Sequence, residues 1–558
     1  MTTPLVEIEN LSVDFPTKRG VTHAVQGISF HVDPGECFAI VGESGSGKSV
    51  SARCLVGLNG RAATVSASKL EFAGRDLLRL SPDQWRDLRG KDVGFILQDA
   101  LVSLDPLRTI GAEVGELLRT HKIVPREEIA TRVNELLTLA GIPDADIRAR
   151  QHSHELSGGL RQRALIASAI GGNPSLIIAD EPTTALDVTV QRQILELLER
   201  LCSDGTSLLL VSHDLSVVSR LADRVAVMHN GVIVETGPTD EVLGSPRDPY
   251  TKRLLAAVPS AHPKGARLSG PRATLTQVED RSPLRPPRVT SDGGVPLLEG
   301  TDLVKTYPGP GGSTRTAVAG VSFRLDAGRS LGIVGESGSG KTTLARMALG
   351  LVEPDSGTVL LGGEPWSDLR ERARRPRRTQ LQVISQDPLG SFDPRYDVQK
   401  IIGEVLSAIK LPRQQFKSRT LELLDQVGLD GDFVSRNPLQ LSGGQRQRVA
   451  IARALAAEPS VIVCDEPVSA LDISIQAQIL DLLGDLKSEL GVSLLFISHD
   501  LSVVYHVCDD VLVMTDGRVV ESGSVEDVFR NPLHPYTQVL FEAFPRLPTD
   551  QLLEATHG

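Results

Sequence analysis

Four short motifs of this chain occur twice, in the same order and at nearly the same separation. Gly42-Glu-Ser-Gly-Ser-Gly-Lys48-Ser49 returns as Gly335-Glu-Ser-Gly-Ser-Gly-Lys341-Thr342. Leu156-Ser-Gly-Gly159 returns as Leu441-Ser-Gly-Gly444, Asp180-Glu181-Pro182 as Asp465-Glu466-Pro467, and Ser212-His213-Asp214 as Ser498-His499-Asp500. Each second copy lies roughly 285 to 293 residues beyond the first, and a near-constant offset over four separate motifs means a duplicated domain. The period is far too long for a solenoid. The chain has to fold as two copies of one unit, and two copies on one chain imply that they work as a pair.

With 558 residues, each copy is long enough to bury a full core. Composition is that of an ordinary soluble globular protein, 40% hydrophobic and 23% charged. No apolar run approaches the roughly 20 residues that span a bilayer. The segment Met1 to Asn10 lacks the basic-then-apolar pattern of a signal peptide. The expectation is a cytosolic chain whose membrane role, if any, comes through partners. A net charge of −11 argues against a nucleic-acid binder, which usually carries a basic field. The five cysteines, Cys37, Cys54, Cys202, Cys464 and Cys508, have no metal-ligand spacing and fit reduced thiols. Cys464 lies in an apolar strand segment, where buried packing is its expected role.

The expected boundaries are a first domain over 1–259, a linker over 260–296, a second domain over 297–547 and a tail over 548–558. The linker assignment rests on composition: Ser282-Pro-Leu-Arg-Pro-Pro287 and Ser291-Asp-Gly-Gly294 are poor in apolar residues and aperiodic. In the first repeat, Leu5 to Val13 and Ile28 to Val32 alternate as strands do, and Phe38 to Val41 is a short apolar strand running into the Gly-rich loop. Glu127 to Ala140 has Ile129, Val133, Leu136, Leu137 and Ala140 at helical spacing. Leu176 to Ala179 and Leu208 to Val211 are apolar runs of buried parallel-strand type. Val225 to Glu235 and Val511 to Glu521 read as hairpins turning at Asn230-Gly231 and Asp516-Gly517. Strands alternating with helices predict an α/β unit with an added antiparallel part.

A G-x4-G-K-[ST] loop between an apolar strand and a helix is built to hold phosphates. Gly42, Gly45 and Gly47, like Gly335, Gly338 and Gly340, let backbone N–H groups close around the anion, with Ser44 and Ser337 inside the loops. Lys48 and Lys341 reach the β- and γ-phosphates, and the Ser49 and Thr342 hydroxyls hold Mg²⁺. Two matches, each after a strand, leave chance a negligible explanation. Asp180-Glu181 and Asp465-Glu466 end buried strands. The Asp of each pair can hold Mg²⁺ through water, and the Glu can polarise an attacking water. A lone Asp-Glu pair at a strand end is usually just solvated; its coupling to a phosphate loop in both repeats favours the chemical role.

Phosphate loop, Leu-Ser-Gly-Gly, apolar-Asp-Glu and a following His, in that order and twice, resemble the nucleotide-binding domains of ABC transporters. The resemblance covers both repeats. It implies two tandem ABC-type P-loop ATPase domains of α/β class, each with a mostly parallel core sheet, an antiparallel β part and a helical subdomain. It also implies ATP and Mg²⁺. Carried over residue by residue, Gln98 and Gln386 match the glutamine that contacts Mg²⁺ and senses the membrane partner. Asp187 and Asp472 match the D-loop, and His213 and His499 the histidine that contacts the γ-phosphate. Phe15 and Tyr307 match adenine-stacking aromatics, although a strand aromatic is core by default. The resemblance further implies that each ATP is sandwiched between one repeat's loop and the other's signature. One site would combine Lys48, Gln98, Asp180, Glu181 and His213 with Ser442, Gly443 and Gly444. The other would combine Lys341, Gln386, Asp465, Glu466 and His499 with Ser157, Gly158 and Gly159. The signature continues with Leu160 in one repeat and Gln445 in the other, which implies modest asymmetry at most.

Within that family, Gln98 to Pro106, Gln386 to Pro394, Ala185 to Gln191, Ala470 to Gln476, Asp248-Pro-Tyr-Thr251 and His534-Pro-Tyr-Thr537 resemble the dipeptide/oligopeptide/nickel importers. The implied partners are two transmembrane permease subunits and a substrate-binding protein, with no nucleic acid. The implied place is the cytoplasmic face of the bacterial membrane, peripherally, and the implied cargo is di- or oligopeptides, with nickel, glutathione or another small solute as alternatives. Residues 255–300 contain no Cys, so no iron–sulfur cluster is expected. The basic run Arg370 to Arg378 reads as a solvated face, with lipid headgroups as a secondary reading. A soluble tandem ABC protein acting on ribosomes is the alternative class; the Pro/Gly-rich linker and acidic balance speak against it. A fused sugar-importer ATPase is nearer, but those often have a degraded second site, whereas both sites here keep Glu and His.

Overall fold

The computed structural model describes residues 3–17, 20–98, 103–183, 186, 188–270, 294–308, 314–469 and 471–542. They separate into two units that divide between Leu255 and Ala256.

In the first unit the Gly-rich loop is mounted on a six-stranded sheet. Strands β3 (Cys37–Val41), β6 (Leu176–Asp180) and β7 (Ser207–Ser212) are buried along their whole length, as strands covered on both faces must be. With β5 (Val93–Ile96), β8 (Arg224–His229) and β9 (Val232–Pro238) the order is β9-β8-β3-β7-β6-β5. All neighbours are parallel except β8 and β9. Asn230 and Gly231 both have positive φ (48° and 82°), the two-residue turn whose twist matches the flanking strands. A second, antiparallel sheet is formed by β1 (Val6–Thr17), β2 (Gly20–Val32) and β4 (Lys69–Phe72), with shorter strands beside them. Its inward residues Val6, Ile8, Leu11 and Val13 share one core with Phe38 and Ile40 of β3 and with Ala52 and Leu55 around α1 (Lys48–Cys54).

The helical part contains α2 (Ile110–Thr120), α3 (Ile129–Leu139) and α4 (Gly158–Ile170). Ile129, Val133, Leu136 and Leu137 are buried, as their spacing requires. The helix read over 127–140 begins instead as a 3₁₀ turn, Arg126–Glu128, in which Glu128 donates to Pro125 O at 3.0 Å; the α-helix starts at Ile129. Helices α5 (Val188–Ser203), α6 (Leu215–Leu221) and α7 (Pro249–Ala256) complete the set needed below.

The second unit repeats this plan. Its antiparallel sheet carries β10 (Leu298–Pro308), β11 (Thr314–Leu325) and β13 (Ser356–Leu361). Its core sheet runs β14-β15-β16-β12-β17-β18 through Leu381–Ile384, Val461–Asp465, Ser493–Ile497, Ser330–Val334, Asp510–Thr515 and Arg518–Ser524. The helices are α8 (Lys341–Ala348), α9 (Val398–Ala408), α10 (Phe416–Gln426), α11 (Gly443–Leu455), α12 (Ile473–Leu490), α13 (Leu501–Val507) and α14 (Pro535–Glu542). Cys464 is fully buried in β15, and burial pushes its thiol up.

Two segments differ from the sequence reading. The first unit ends at Leu255, and residues 256–270, mostly assigned to a linker, pack within the second unit. Leu268 is buried there, and the carboxylate of Asp481 on α12 accepts the N–H groups of Leu268 (3.0 Å) and Ser269 (2.9 Å). Low apolar content hid this because much of the anchoring is polar: besides the Asp481 bonds, Arg267 pairs with Asp485 at 2.8 Å. Residues 271–293 of the expected linker and the tail, 548–558, lie outside the described residues. The basic run is also less solvated than its composition suggests. Arg374 is buried and donates to Gly350 O at 3.0 Å; Arg377 and Arg378 lie over the ring of fully buried Trp366. Arg378 also pairs with Glu371 at 2.6 Å.

Candidate active site

The phosphate loop of each unit is pinned by the hairpin beside it. Gly42 has φ 149°, and a Cβ there would lie 2.1 Å from Met228 O on β8; Gly335 has φ 151°, and its Cβ would lie 2.1 Å from Met514 O. Only glycine fits so close an approach of two backbones. The hairpin turn adds a hydrogen bond: Gly231 N–H donates to Ser46 O (3.0 Å), and Gly517 N–H to Ser339 O (3.1 Å). Inside the loop the buried Lys48 ammonium donates to Gly42 O (2.6 Å) and Glu43 O (2.8 Å). Lys341 donates to Gly335 O (2.8 Å) and Glu336 O (2.7 Å). A cation is thus held at the loop's centre, at the start of a helix, where an anion is favoured.

The strand-end carboxylates face that loop. Asp180 is fully buried; it accepts from Ser49 Oγ at 2.7 Å and sits 3.4 Å from the Arg53 guanidinium. Burial pushes its carboxyl above the usual range, against the pull of Ser49 and Arg53. Burial likewise raises Asp465, reinforced by Glu466 and opposed by Arg346, Lys341 and Thr342. Serine or threonine hydroxyl, buried carboxylate and nearby glutamine are hard oxygen donors of the kind Mg²⁺ takes. Among the described residues no cluster of three His, Cys, Asp or Glu makes a protein-only metal site. This donor set therefore fits an ion that takes its remaining ligands from phosphate and water.

Glu181 and Glu466 follow as a matched pair. Both have left-handed backbones, φ 50° and 48°, costly for a side chain other than glycine. Their N–H groups donate to Val211 O (2.8 Å) and Ile497 O (3.0 Å), which hold the turn. The Glu181 carboxylate accepts from Gln98 Nε2 at 2.8 Å and lies 3.3 Å from His213 Nδ1. Glu466 repeats this with Gln386 at 2.8 Å and His499 at 3.4 Å. Burial disfavours the charged form of His213, but Glu181 outweighs it, with help from Asp214, so its pKa is raised; His499 behaves alike beside Glu466. Burial opposes the Glu466 carboxylate, and His499 reverses that, holding it below the ordinary range. The histidines are aimed by the turns that follow β7 and β16, where Asp214 and Asp500 cap α6 and α13.

The signature residues start helices. Ser157 caps α4, accepting Leu160 N–H at 3.4 Å, and Ser442 caps α11, accepting Gln445 N–H at 3.3 Å. The two glycines have different duties. A Cβ at Gly159 would meet Val190 at 2.8 Å, and at Gly444 Ile475 at 2.4 Å, so these serve helix packing. A Cβ at Gly158 meets nothing within 4 Å, and Gly443 only Leu471 at 3.5 Å, so these leave backbone accessible. The expected asymmetry is a missing bond: Gln445 Oε1 accepts Ser442 N–H at 3.0 Å and closes a capping box, which Leu160 cannot. Leu160→Gln is expected to slow amide exchange at Ser157 by about threefold to tenfold, the effect of one ordinary hydrogen bond. Exchange mass spectrometry or NMR reads this directly, and an unchanged rate would contradict it.

The remaining candidates do not converge so clearly. Phe15 is half-buried and packs against the first unit's core, while Tyr307 is 37% exposed on β10. Asp472 stands at the N-cap position of α12. Asp187, residues 99–102 of the first glutamine segment, Ala185 and Ala470 lie outside the described residues. Sequence reasoning missed Tyr250 and Tyr536, whose hydroxyls accept loop N–H groups of Glu43 (3.3 Å) and Glu336 (3.1 Å). The repeated Pro-Tyr-Thr is the signal that could have found them, since a side chain kept in both copies outside the ATPase motifs has a common duty.

The family described as ABC transporter matches residues 25–184 and again 318–469. A second, described as oligopeptide/dipeptide transporter, C-terminal region, matches 234–283 and 520–558. The peptidoglycan transport ATP-binding protein YejF of Agrobacterium fabrum is 42% identical over 97% of this chain and 96% of its own length. The oligopeptide transport ATP-binding protein OppD of Mycobacterium tuberculosis is 40% identical over 97% and 98%. The glutathione import ATP-binding protein GsiA of Escherichia coli is 41% identical over 97% and 89%.

Proposed function

The chain belongs to the ABC transporter family, with two ATPase domains in tandem, and from that premise we propose that it hydrolyses ATP to drive import of di- or oligopeptides. What carries this reading is that both units hold the same Gln–Glu–His constellation beside a lysine-filled phosphate loop. The cargo class is supported by relatives concerned with oligopeptides, glutathione and peptidoglycan transport, and by the twice-matched peptide-transporter C-terminal region.

In each unit the loop amides and Lys48 or Lys341 bind the β- and γ-phosphates. Ser49, Asp180 and Gln98, or Thr342, Asp465 and Gln386, would hold Mg²⁺. When bound, the ion would supply positive charge against the negative charge that develops on the transferring phosphate. Glu181 or Glu466 accepts a hydrogen bond from the attacking water and orients it; Gln98 or Gln386 keeps that carboxylate in place. The raised pKa of His213 and His499 favours an imidazolium, which offers an N–H to the γ-phosphate. Asp187 and Asp472 would serve as D-loop residues, Ser157 with Gly158, and Ser442 with Gly443, as phosphate-contacting signatures, and Phe15 and Tyr307 as adenine contacts.

Among the described residues no helix is long and apolar enough to cross a membrane. The proposed place is the cytoplasmic face of the cell membrane, through two permease subunits fed by a substrate-binding protein. Proteoliposomes holding those permeases with this chain are expected to accumulate a labelled oligopeptide only with Mg-ATP. Uptake of glutathione or nickel but not peptide would overturn the cargo, and co-purification with ribosomes rather than permeases would overturn the importer reading.

A further inference from the structure

The C-terminal segment of each unit is tied to its phosphate loop. Glu235 on β9 accepts the N–H groups of Arg247 (2.8 Å) and Asp248 (3.1 Å). Asp248 in turn accepts Tyr250 N–H at 2.7 Å, and Pro249 occupies the first turn of α7, where no N–H is needed. So held, Tyr250 is 7% exposed and stacks on His229 with ring centroids 3.9 Å apart. Its hydroxyl accepts Glu43 N–H at 3.3 Å. The second unit builds the same bond with a different cap. Glu521 accepts from Leu533 (2.8 Å) and His534 (3.0 Å), and His534 Nδ1 accepts Tyr536 N–H at 3.1 Å. The Tyr536 hydroxyl then accepts Glu336 N–H at 3.1 Å. The cap differs, Asp in one copy and His in the other, while the tyrosine-to-loop bond is present in both.

The peptide group that follows each of these amides matters to the loop. Glu43 O accepts both Lys48 Nζ (2.8 Å) and Ser46 N–H (3.1 Å), and Glu336 O accepts Lys341 Nζ (2.7 Å) and Ser339 N–H (3.2 Å). One residue therefore gives its N–H to the tyrosine and its carbonyl to the lysine. Fixing its N–H leaves little freedom for the carbonyl against which the lysine rests, since only two soft dihedrals lie between them. Both tyrosines lie outside the ATPase matches and inside the C-terminal matches.

We infer that Tyr250 and Tyr536 are positioning residues for the two phosphate loops, which makes each C-terminal segment a working part of its nucleotide site. This rests on the loops binding Mg-ATP. In the full chain carrying Lys341→Ala, Mg-ATP affinity reports the first site; with Lys48→Ala it reports the second. Tyr250→Phe keeps the stacked ring and removes only the hydroxyl. It is expected to weaken binding about threefold to tenfold at the first site, as loss of one hydrogen bond does, with no change at the second. Tyr536→Phe should show the mirror pattern, and it carries the test independently if the other variant folds poorly. Unaltered affinity at the variant's own site, or equal weakening at both sites with a lowered melting point, would overturn the positioning role. Failure of the unsubstituted chain to bind Mg-ATP would instead overturn the nucleotide reading.

Discussion

Glu181→Gln and Glu466→Gln each lower ATP turnover by about a hundredfold or more while Mg-ATP still binds. The amide can keep accepting from Gln98 or Gln386, so the site's shape survives. The negative charge that polarises water is lost. Steady-state phosphate release and binding of ATP by the same variants measure the two effects separately. Near-normal turnover in either variant would make that site regulatory. A second readout follows from the histidines. His213 is raised because Glu181 overcomes burial. Without the carboxylate, burial is left with little opposition, so the imidazole pKa should fall below its value in the unsubstituted chain. NMR titration of His213 in Glu181→Gln checks the sign, and an unmoved titration would show that Glu181 is not its main partner.

Gly42→Ala raises the dissociation constant for Mg-ATP at the first site by about a hundredfold or more, and Gly335→Ala does so at the second. A methyl at either position would sit 2.1 Å from a backbone carbonyl, on a residue whose φ is near 150°. Neither strain can be relieved by a side-chain rotation, because Met228 O and Met514 O belong to strands paired directly with the loop's own strand in the core sheets. The loop must therefore deform where it holds phosphate. Gly244→Ala is the control: its Cβ meets nothing within 4 Å and its φ is not in the left-handed range. It should leave affinity unchanged. Binding measured with the other site silenced by a Lys→Ala change decides the matter. An affinity of Gly42→Ala within threefold of the parent would contradict the close-approach argument.

The phosphate loops, the Asp-Glu strand ends and the histidines are legible in the amino-acid sequence because their chemistry is local. A tight anion-binding turn needs glycines at fixed spacing, and a buried parallel strand needs an unbroken apolar run, so Phe38 to Val41 and Leu176 to Ala179 announce both. Duplication gives each reading an independent second instance. The hairpins are legible for the same reason, through Asn230-Gly231 and Asp516-Gly517. What those hairpins are for is not legible, since Met228 O against Gly42 joins residues 186 positions apart (228−42). The same holds for Asp481 anchoring Leu268, for the arginines gathered round Trp366, and for the tyrosines that reach Glu43 and Glu336. Spacing along the chain determines which local turns and strands can form, and hence which residues can do the chemistry. Which distant backbone or hydroxyl holds those residues in place depends on how sheets and helices pack, and only the tertiary structure decides that.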